Sequence, residues 1–323
     1  MTSGARGVER STSARGARPH AAAARARRRR LYRALEGYLF AAPWILGFAL
    51  FTAGAMLYSV WMSLHRWNIL SPPEFVGWVN YEKALLRDPL FWKSLVNTAY
   101  YSFVSVPLRM MIAMLLAVLL NQQVRGLAFF RTIFYLPSVV TGVATAMLWL
   151  LLLNPDVGGI NHTLRLLGVE HPPGWLTDER WAMPGLILMS LWSIGSMMLI
   201  FLAGLQGVPD ELRDAALVDG AGAFARFRCV TLPLLTPTIF FNLVISIIAS
   251  FQVFTQTYVM TGGGPADATL TYALYLYRNA FEYFKMGYAS ALAWILFFVL
   301  LALTGLIFRS SALWVHYEGG REA

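Results

Sequence analysis

Few side chains in this sequence could do chemistry, and their positions decide which chemistry. The one cysteine, Cys229, leaves no internal disulfide and no cysteine-built metal cluster. The five histidines, His20, His65, His162, His171 and His316, are scattered, and none pairs at metal-ligand spacing. A membrane enzyme needs a catalytic pair within or just outside an apolar segment. His162 and Asp156 are the only neighbours of that kind, and they make a weak pair. The phosphate-cradling pattern G-x-x-x-x-G-K-S/T is absent, so the chain holds no nucleotide by itself.

The elements that must position these residues are apolar. Of 323 residues, 57% are hydrophobic and 13% charged, with a mean hydropathy of +0.54. Soluble domains carry roughly a quarter charged residues. Six stretches reach the ~20 residues that cross a bilayer: 38–64, 94–120, 132–153, 182–206, 236–261 and 288–308. The expected fold is therefore an all-α polytopic membrane protein with six spans and no separate soluble domain.

No carboxylate or histidine falls within a span. Ion-coupled carriers place ionisable groups or unwound helices at the midplane, so a secondary carrier is the weaker rival reading. Five spans carry no charge at all; the second holds Arg109, two residues after Pro107. A mid-span cation must meet water, carbonyls or a partner. Three readings stay open for it: contact with another chain or with carbonyls freed by Pro107, snorkelling, and contact with an anionic substrate.

Polar residues in two other spans form stripes. In the fifth, Asn242, Ser246, Ser250 and Thr257 recur at spacings of 4, 4 and 7, with Val253 in the same stripe. In the fourth, Ser190, Ser193, Ile194 and Met197 follow a one-face helical pattern. Such stripes line a polar cavity or serve helix–helix packing. Trp192 could stack on a sugar ring, although a packing or boundary role is the commoner one. Gln252 and Gln256 form an i, i+4 pair suited to contact with a second subunit.

The formal charge of +9 resides in one place. Residues 1–37 hold ten arginines and two glutamates, a net of +8. This tail lacks apolar periodicity and is expected to be disordered. It is not a cleaved signal peptide, and up to Leu31 no aromatic interleaving accompanies its arginines as in a nucleic-acid arm. It reads as a basic, lipid-facing cytosolic segment. With the N-terminus inside, Lys and Arg number 17 on inner connections and 8 on outer ones. Both termini are then cytosolic, with residues 309–323 as a C-terminal tail.

That orientation puts the 207–235 connection in the cytosol. Pro209 suits the start of a helix, Asp210 and Glu211 complement its positive end, and Gly220 suits the left-handed turn that ends it. Leu212, Ala215, Ala216 and Val218 give a small apolar surface, of a kind that docks into a partner's groove. A second short helix is expected from Phe224 to Leu232.

The string ELRDAALVDGAGAFARFRCVTLPLLTP at 211–237 resembles the EAA loop of binding-protein-dependent ABC importer permeases. Ala215, Ala216, Asp219, Gly220, Ala221, Phe227, Leu232, Pro233 and Pro237 fall in register, while Asp214 stands where that family usually has Glu. FVGWVNYEKAL (75–85), FFRTIFYLP (129–137), LLNPDVGGIN (152–161), YVMTGGGPADAT (258–269) and FKMGYASALA (284–293) resemble the carbohydrate branch, and within it the maltose/glycerol-phosphate-type first permease. The likeness covers roughly residues 35–310.

The resemblance implies a non-catalytic translocation subunit of a carbohydrate importer in the plasma (inner) membrane of a bacterium or archaeon, working by alternating access. It implies a companion permease, two ATPase subunits that carry ATP and Mg, and an extracytoplasmic sugar-binding protein. This chain would bind no cofactor or metal. Glu211, Asp214, Ala215, Ala216, Asp219, Gly220 and Ala221 would couple it to the ATPase. Positions matching Ser190, Ser193, Ile194, Met197, Ser246, Ser250 and Val253 face the central cavity in maltose-type permeases; Trp192, Asn242 and Arg109 complete the candidate set.

Overall fold

A computed structural model describes residues 37–122 and 126–316. The basic tail through Glu36, Arg125 and residues 317–323 lie outside the described residues. The chain divides into two compact units after Ser59. Helix α1 (Gly37–Ser63) begins at the first described residue, continues through that boundary, and is long and apolar enough to cross a membrane. Within it, Trp44 stacks on Phe48 at 5.6 Å.

In the second unit a two-stranded antiparallel ribbon, β1 (His65–Arg66) and β2 (Glu74–Phe75), precedes α2 (Pro89–Leu120). At about 1.5 Å per residue, the 32 residues of α2 outreach a hydrocarbon core about 30 Å thick. Its start is fixed locally: Pro89 occupies the first turn, and Asp88 Oδ1 accepts from the amides of Leu90 (3.0 Å) and Phe91 (3.3 Å). Asp88 Oδ2 also accepts from the hydroxyls of Tyr275 and Tyr288. Burial raises the Asp88 pKa, but these four donors outweigh it and hold the carboxyl below its ordinary value.

Six further helices pair across sharp breaks. Helices α3 (Leu127–Val139) and α4 (Gly142–Leu152) meet at 99°. A short α5 (Gly159–Leu166) follows. Helix α6 (Glu179–Ser190), prolonged by a 3-10 turn to Ser193, meets α7 (Gly195–Gln206) at 50°. After the surface helix α8 (Asp210–Val218), the helical stretch α9 (Ala223–Leu234) meets α10 (Thr236–Phe251) at 64°. The chain closes with α11 (Thr255–Met260), α12 (Tyr272–Tyr277) and α13 (Met286–Trp314). Among the described residues, three single helices are long and apolar enough to cross a membrane, and the number is up to six if each bent pair is one span.

The 132–153 and 182–206 stretches, expected as continuous spans, thus each bend inside an apolar run. Gly195 makes one break workable. A Cβ there would stand 2.6 Å from the Phe134 carbonyl oxygen and 2.7 Å from Tyr135 Cα, so only glycine lets α7 start against α3. The 236–261 stretch is also interrupted, at Gln252–Phe254. The last helix continues to Trp314, beyond the expected end at 308.

Helix α2 supplies side chains to three buried clusters. Phe91 and Val106 join Phe251, Tyr272 and Leu292 from α10, α12 and α13. Tyr101 joins Trp149, Met183 and Leu186 from α4 and α6. Ala113 and Ala117, one turn apart and fully buried, let α7 approach through Met198 and Phe201. In lipid, where apolar burial between helices gains little, such small residues permit the close contacts that hold helices together.

Candidate functional site

The 207–235 connection folds into two short helices. Pro209 is the N-cap of α8, one position before the expected first turn, and Asp210 and Glu211 begin the helix. Arg213 donates to Asp210 Oδ1 (3.2 Å) and to the Leu205 carbonyl at the end of α7 (2.8 Å), tying α8 to the membrane helix before it. Gly220 adopts φ +78°. Its amide donates to the Leu217 carbonyl (3.0 Å), and that of Ala221 to the Ala216 carbonyl (2.9 Å), which is the Schellman pattern of helix termination.

Glu211, Asp214, Ala215, Asp219 and Gly220 are exposed, and Ala216 and Ala221 half-buried. None of the three carboxylates has an ion-pair partner among the described residues. Leu217 is 55% exposed, Val218 87% and, on α9, Phe224 75%. Apolar side chains placed this way on a rigid, capped helix form a ready contact for another protein.

The two polar stripes differ. Asn242, Ser246, Ser250 and Val253 are all buried within the chain. Asn242 donates to the Thr238 carbonyl (3.1 Å) and Ser250 to that of Ile247 (2.9 Å). The regular face ends at Phe251, because the backbone leaves the helix at Gln252; Val253 and Thr257 are placed by the break and not by the 3.6-residue period. The i, i+4 relation expected of Gln252 and Gln256 is lost for the same reason.

The other stripe lies at the α6–α7 break. Ser190 donates to the Ile187 carbonyl (2.6 Å). Ser193 is half-buried, while Ile194 and Met197 are buried. Trp192, on the 3-10 turn, is 43% exposed and packs edge-to-face on Trp149 with ring centres 6.0 Å apart.

Beside this break, α2 presents a polar seam that sequence reading reduced to Arg109. Tyr101, Ser105 and Arg109 follow at i, i+4 and i+8, with Ser102 adjacent. Ser102 Oγ, Ser105 Oγ, Arg109 Nε and Trp149 Nε1 are enclosed without hydrogen-bond partners. Arg109 has no ion pair among the described residues. Four unmet polar atoms in one region of the fold are unusual, since buried polar groups are nearly always paired. The tyrosine and serines were legible as a four-residue repeat ending on the arginine.

The Thr-Gly-Gly-Gly-Pro segment after α11 is held by hydroxyls. Thr271 Oγ1 donates to the Val253 carbonyl (3.0 Å) and lies 3.1 Å from Thr257 Oγ1, while Thr261 and Thr269 meet at 2.6 Å. Asn97 of α2 donates to the carbonyls of Asp267 (2.9 Å) and Leu270 (3.1 Å). This clasp fixes the α10–α11 break against α2.

Paired apolar helices bent at defined breaks, with a capped surface helix among them, define a polytopic membrane protein. The chain belongs to the family of binding-protein-dependent transport system inner membrane components, whose sequence profile matches residues 97–313. It is 43% identical over 291 residues to the probable ABC transporter permease protein YesP of Bacillus subtilis (strain 168), covering 89% of this chain and 94% of that one. It is 36% identical over 274 residues to the trehalose/maltose transport system permease protein MalF of Thermococcus litoralis, with 83% and 90% covered. To the sn-glycerol-3-phosphate transport system permease protein UgpA of Agrobacterium fabrum it is 36% identical over 285 residues, with 87% and 96% covered. A chain of the bacterial alginate ABC transporter, crystallised with an alginate pentasaccharide-bound periplasmic protein, superposes with a TM-score of 0.78 at 23% identity, covering 88% of this chain and 96% of that one. At that identity the likeness speaks for the fold alone. This is an ABC transporter permease fold.

Proposed function

We propose that the chain is the translocation subunit of an ATP-driven importer for a carbohydrate, whether sugar, oligosaccharide or sugar/glycerol phosphate. It works by alternating access with a companion permease, in the plasma (inner) membrane of a bacterium or archaeon, with both termini cytosolic. The relatives named for trehalose/maltose and sn-glycerol-3-phosphate support the cargo class. Two ATPase subunits carry ATP and Mg, and this chain performs no chemistry.

The observation that carries the reading is α8: a capped helix with exposed apolar side chains and with three exposed carboxylates that have no ion-pair partner among the described residues. Glu211, Asp214, Ala215, Ala216, Asp219, Gly220 and Ala221 form the face that receives the ATPase. Arg213 passes its motion to α7. Ser190, Trp192, Ser193 and Met197 at the α6–α7 break, with Arg109 on α2, form the cargo path; Asn242, Ser246, Ser250 and Val253 support it from behind as packed neighbours.

Affinity purification of the full chain from its native membrane tests this. An ATPase, a second permease and an extracytoplasmic binding protein should co-purify, and that binding protein should gain thermal stability with a sugar. Uptake that persists without any ATPase would sink the reading in favour of a secondary carrier.

A further inference from the structure

We infer that the groove between the C-terminal part of α2 and α9 is a binding site for an anionic phospholipid, its phosphate held by Arg226 and an acyl chain laid along α2. The inference goes beyond the transport reading and depends on it only for placing the groove at the cytosolic leaflet.

Two adjoining cavities make the site. One, of about 430 Å3, is walled only by apolar side chains, chiefly Met111, Met114, Leu115 and Val118 of α2 with Phe224 and Phe227 of α9. On α2 these recur at i, i+3, i+4 and i+7, one face of a helix long enough to cross a bilayer. The other, of about 310 Å3, shares Val118 and Phe227 with the first and is lined by Asn121, Gln122, Arg213, Arg226 and Thr231. A greasy chamber that opens into a cationic, hydrogen-bonding one has the chemistry of an amphiphile with a negative head.

The arginines near this helix end differ in what they already hold. Arg131 donates to the last carbonyl of α2, Leu120 (3.4 Å). Arg213 caps α7 at Leu205 and pairs with Asp210. Arg226 does neither: its Nε, like that of Arg131, is enclosed without a hydrogen-bond partner, and the rest of its guanidinium makes no hydrogen bond or ion pair among the described residues. A permanently charged guanidinium at a membrane boundary calls for an anion, and its fork matches phosphate oxygens. Basic pockets between membrane helices on the cytosolic side take lipid head groups on this principle. A free phosphate would leave the apolar chamber empty, and an acidic protein segment would not fill it.

The test is native mass spectrometry of the full chain, purified in detergent with its co-purifying subunits, against phosphatidylglycerol and phosphatidylcholine of identical acyl chains. The wild type should retain phosphatidylglycerol preferentially. Arg226→Gln should lower its retention about tenfold, as expected for the loss of one charge-assisted contact, and leave phosphatidylcholine unchanged. Arg228→Gln, two residues on and exposed, should change nothing. Leu115→Trp should displace both lipids by filling the chamber. Wild-type phosphatidylglycerol retention by Arg226→Gln overturns the site, as does an equal loss in Arg228→Gln or undiminished binding in Leu115→Trp. If Arg226→Gln fails to assemble, a photoactivatable phosphatidylglycerol on the wild type decides. Labels within 111–118 or 224–227 support the site, and labels elsewhere, or a cross-linker at position 115 that joins the companion permease, overturn it.

Discussion

Replacing Gly220 isolates the termination of the surface helix from its contacts. Gly220 holds φ +78°, and a Cβ added there would meet nothing within 4 Å, so a substitution is resisted only by backbone conformation. For an L-residue the left-handed region costs about 1–2 kcal/mol, and asparagine visits it more readily than alanine. The same range is a factor of about 5 to 30 in the population of the closed turn. Proline is excluded outright: its φ is fixed near −65°, and it removes the amide that donates to Leu217. Uptake into reconstituted vesicles and transport-stimulated ATP hydrolysis should therefore fall in the order Gly, Asn, Ala, Pro. Gly220→Ala should lose roughly 5- to 30-fold in the docked fraction at limiting ATPase subunit. The melting temperature of the membrane domain should change little, since a side chain at position 220 meets no other atom within 4 Å. Wild-type coupling in Gly220→Pro, or a series ordered by side-chain volume instead of left-handed tolerance, would refute the reasoning.

Other positions give independent checks. Gly195→Ala should destabilise the fold by about 1–3 kcal/mol, because its Cβ would press on the Phe134 carbonyl and Tyr135 Cα; an unchanged thermal melt would show that the α3–α7 approach is loose. Asp88 has a depressed pKa, so its contribution is present above the ordinary carboxylate value and is lost as pH falls through the lower, folded value. Asp88→Asn should accordingly flatten the acid limb of a melting-temperature profile, and an identical limb in both proteins would refute the assignment. Arg109→Gln should reduce uptake of an anionic cargo if the guanidinium touches cargo, and unchanged uptake of such a cargo would refute that contact.

The number of membrane crossings was legible because transfer of apolar side chains into lipid is an additive property of composition. Their direction was not. The breaks at Val140–Thr141, Ile194 and Gln252–Phe254 lie inside apolar runs, where hydropathy is blind to a change of helix axis. Gly195 was a visible sign only once its neighbour Phe134 was known. The surface helix was read well because its signals are local: Pro209 before the first turn, acids in it, and glycine after the last. The fifth-span stripe was read less well. Its 3.6-residue logic required an uninterrupted helix, and it ran past Phe251, where the helix ends.

That failure is informative about where polar groups matter in this chain. Asn242 and Ser250, selected by period, satisfy themselves on carbonyls one turn away and are closed off. Ser102, Ser105, Arg109 and Trp149 remain unmet, and they cluster where α2 passes the exposed Trp192 at the α6–α7 break. An unmet polar group in a low-dielectric interior is costly, so it persists where something outside the chain answers it. Arg109 is half-buried, so a cargo anion or a second chain would do so there, whereas Ser102 and Ser105 are fully buried and closed to both. Arg109, more than the periodic stripe on α10, is therefore the place where a substitution should alter which solute passes.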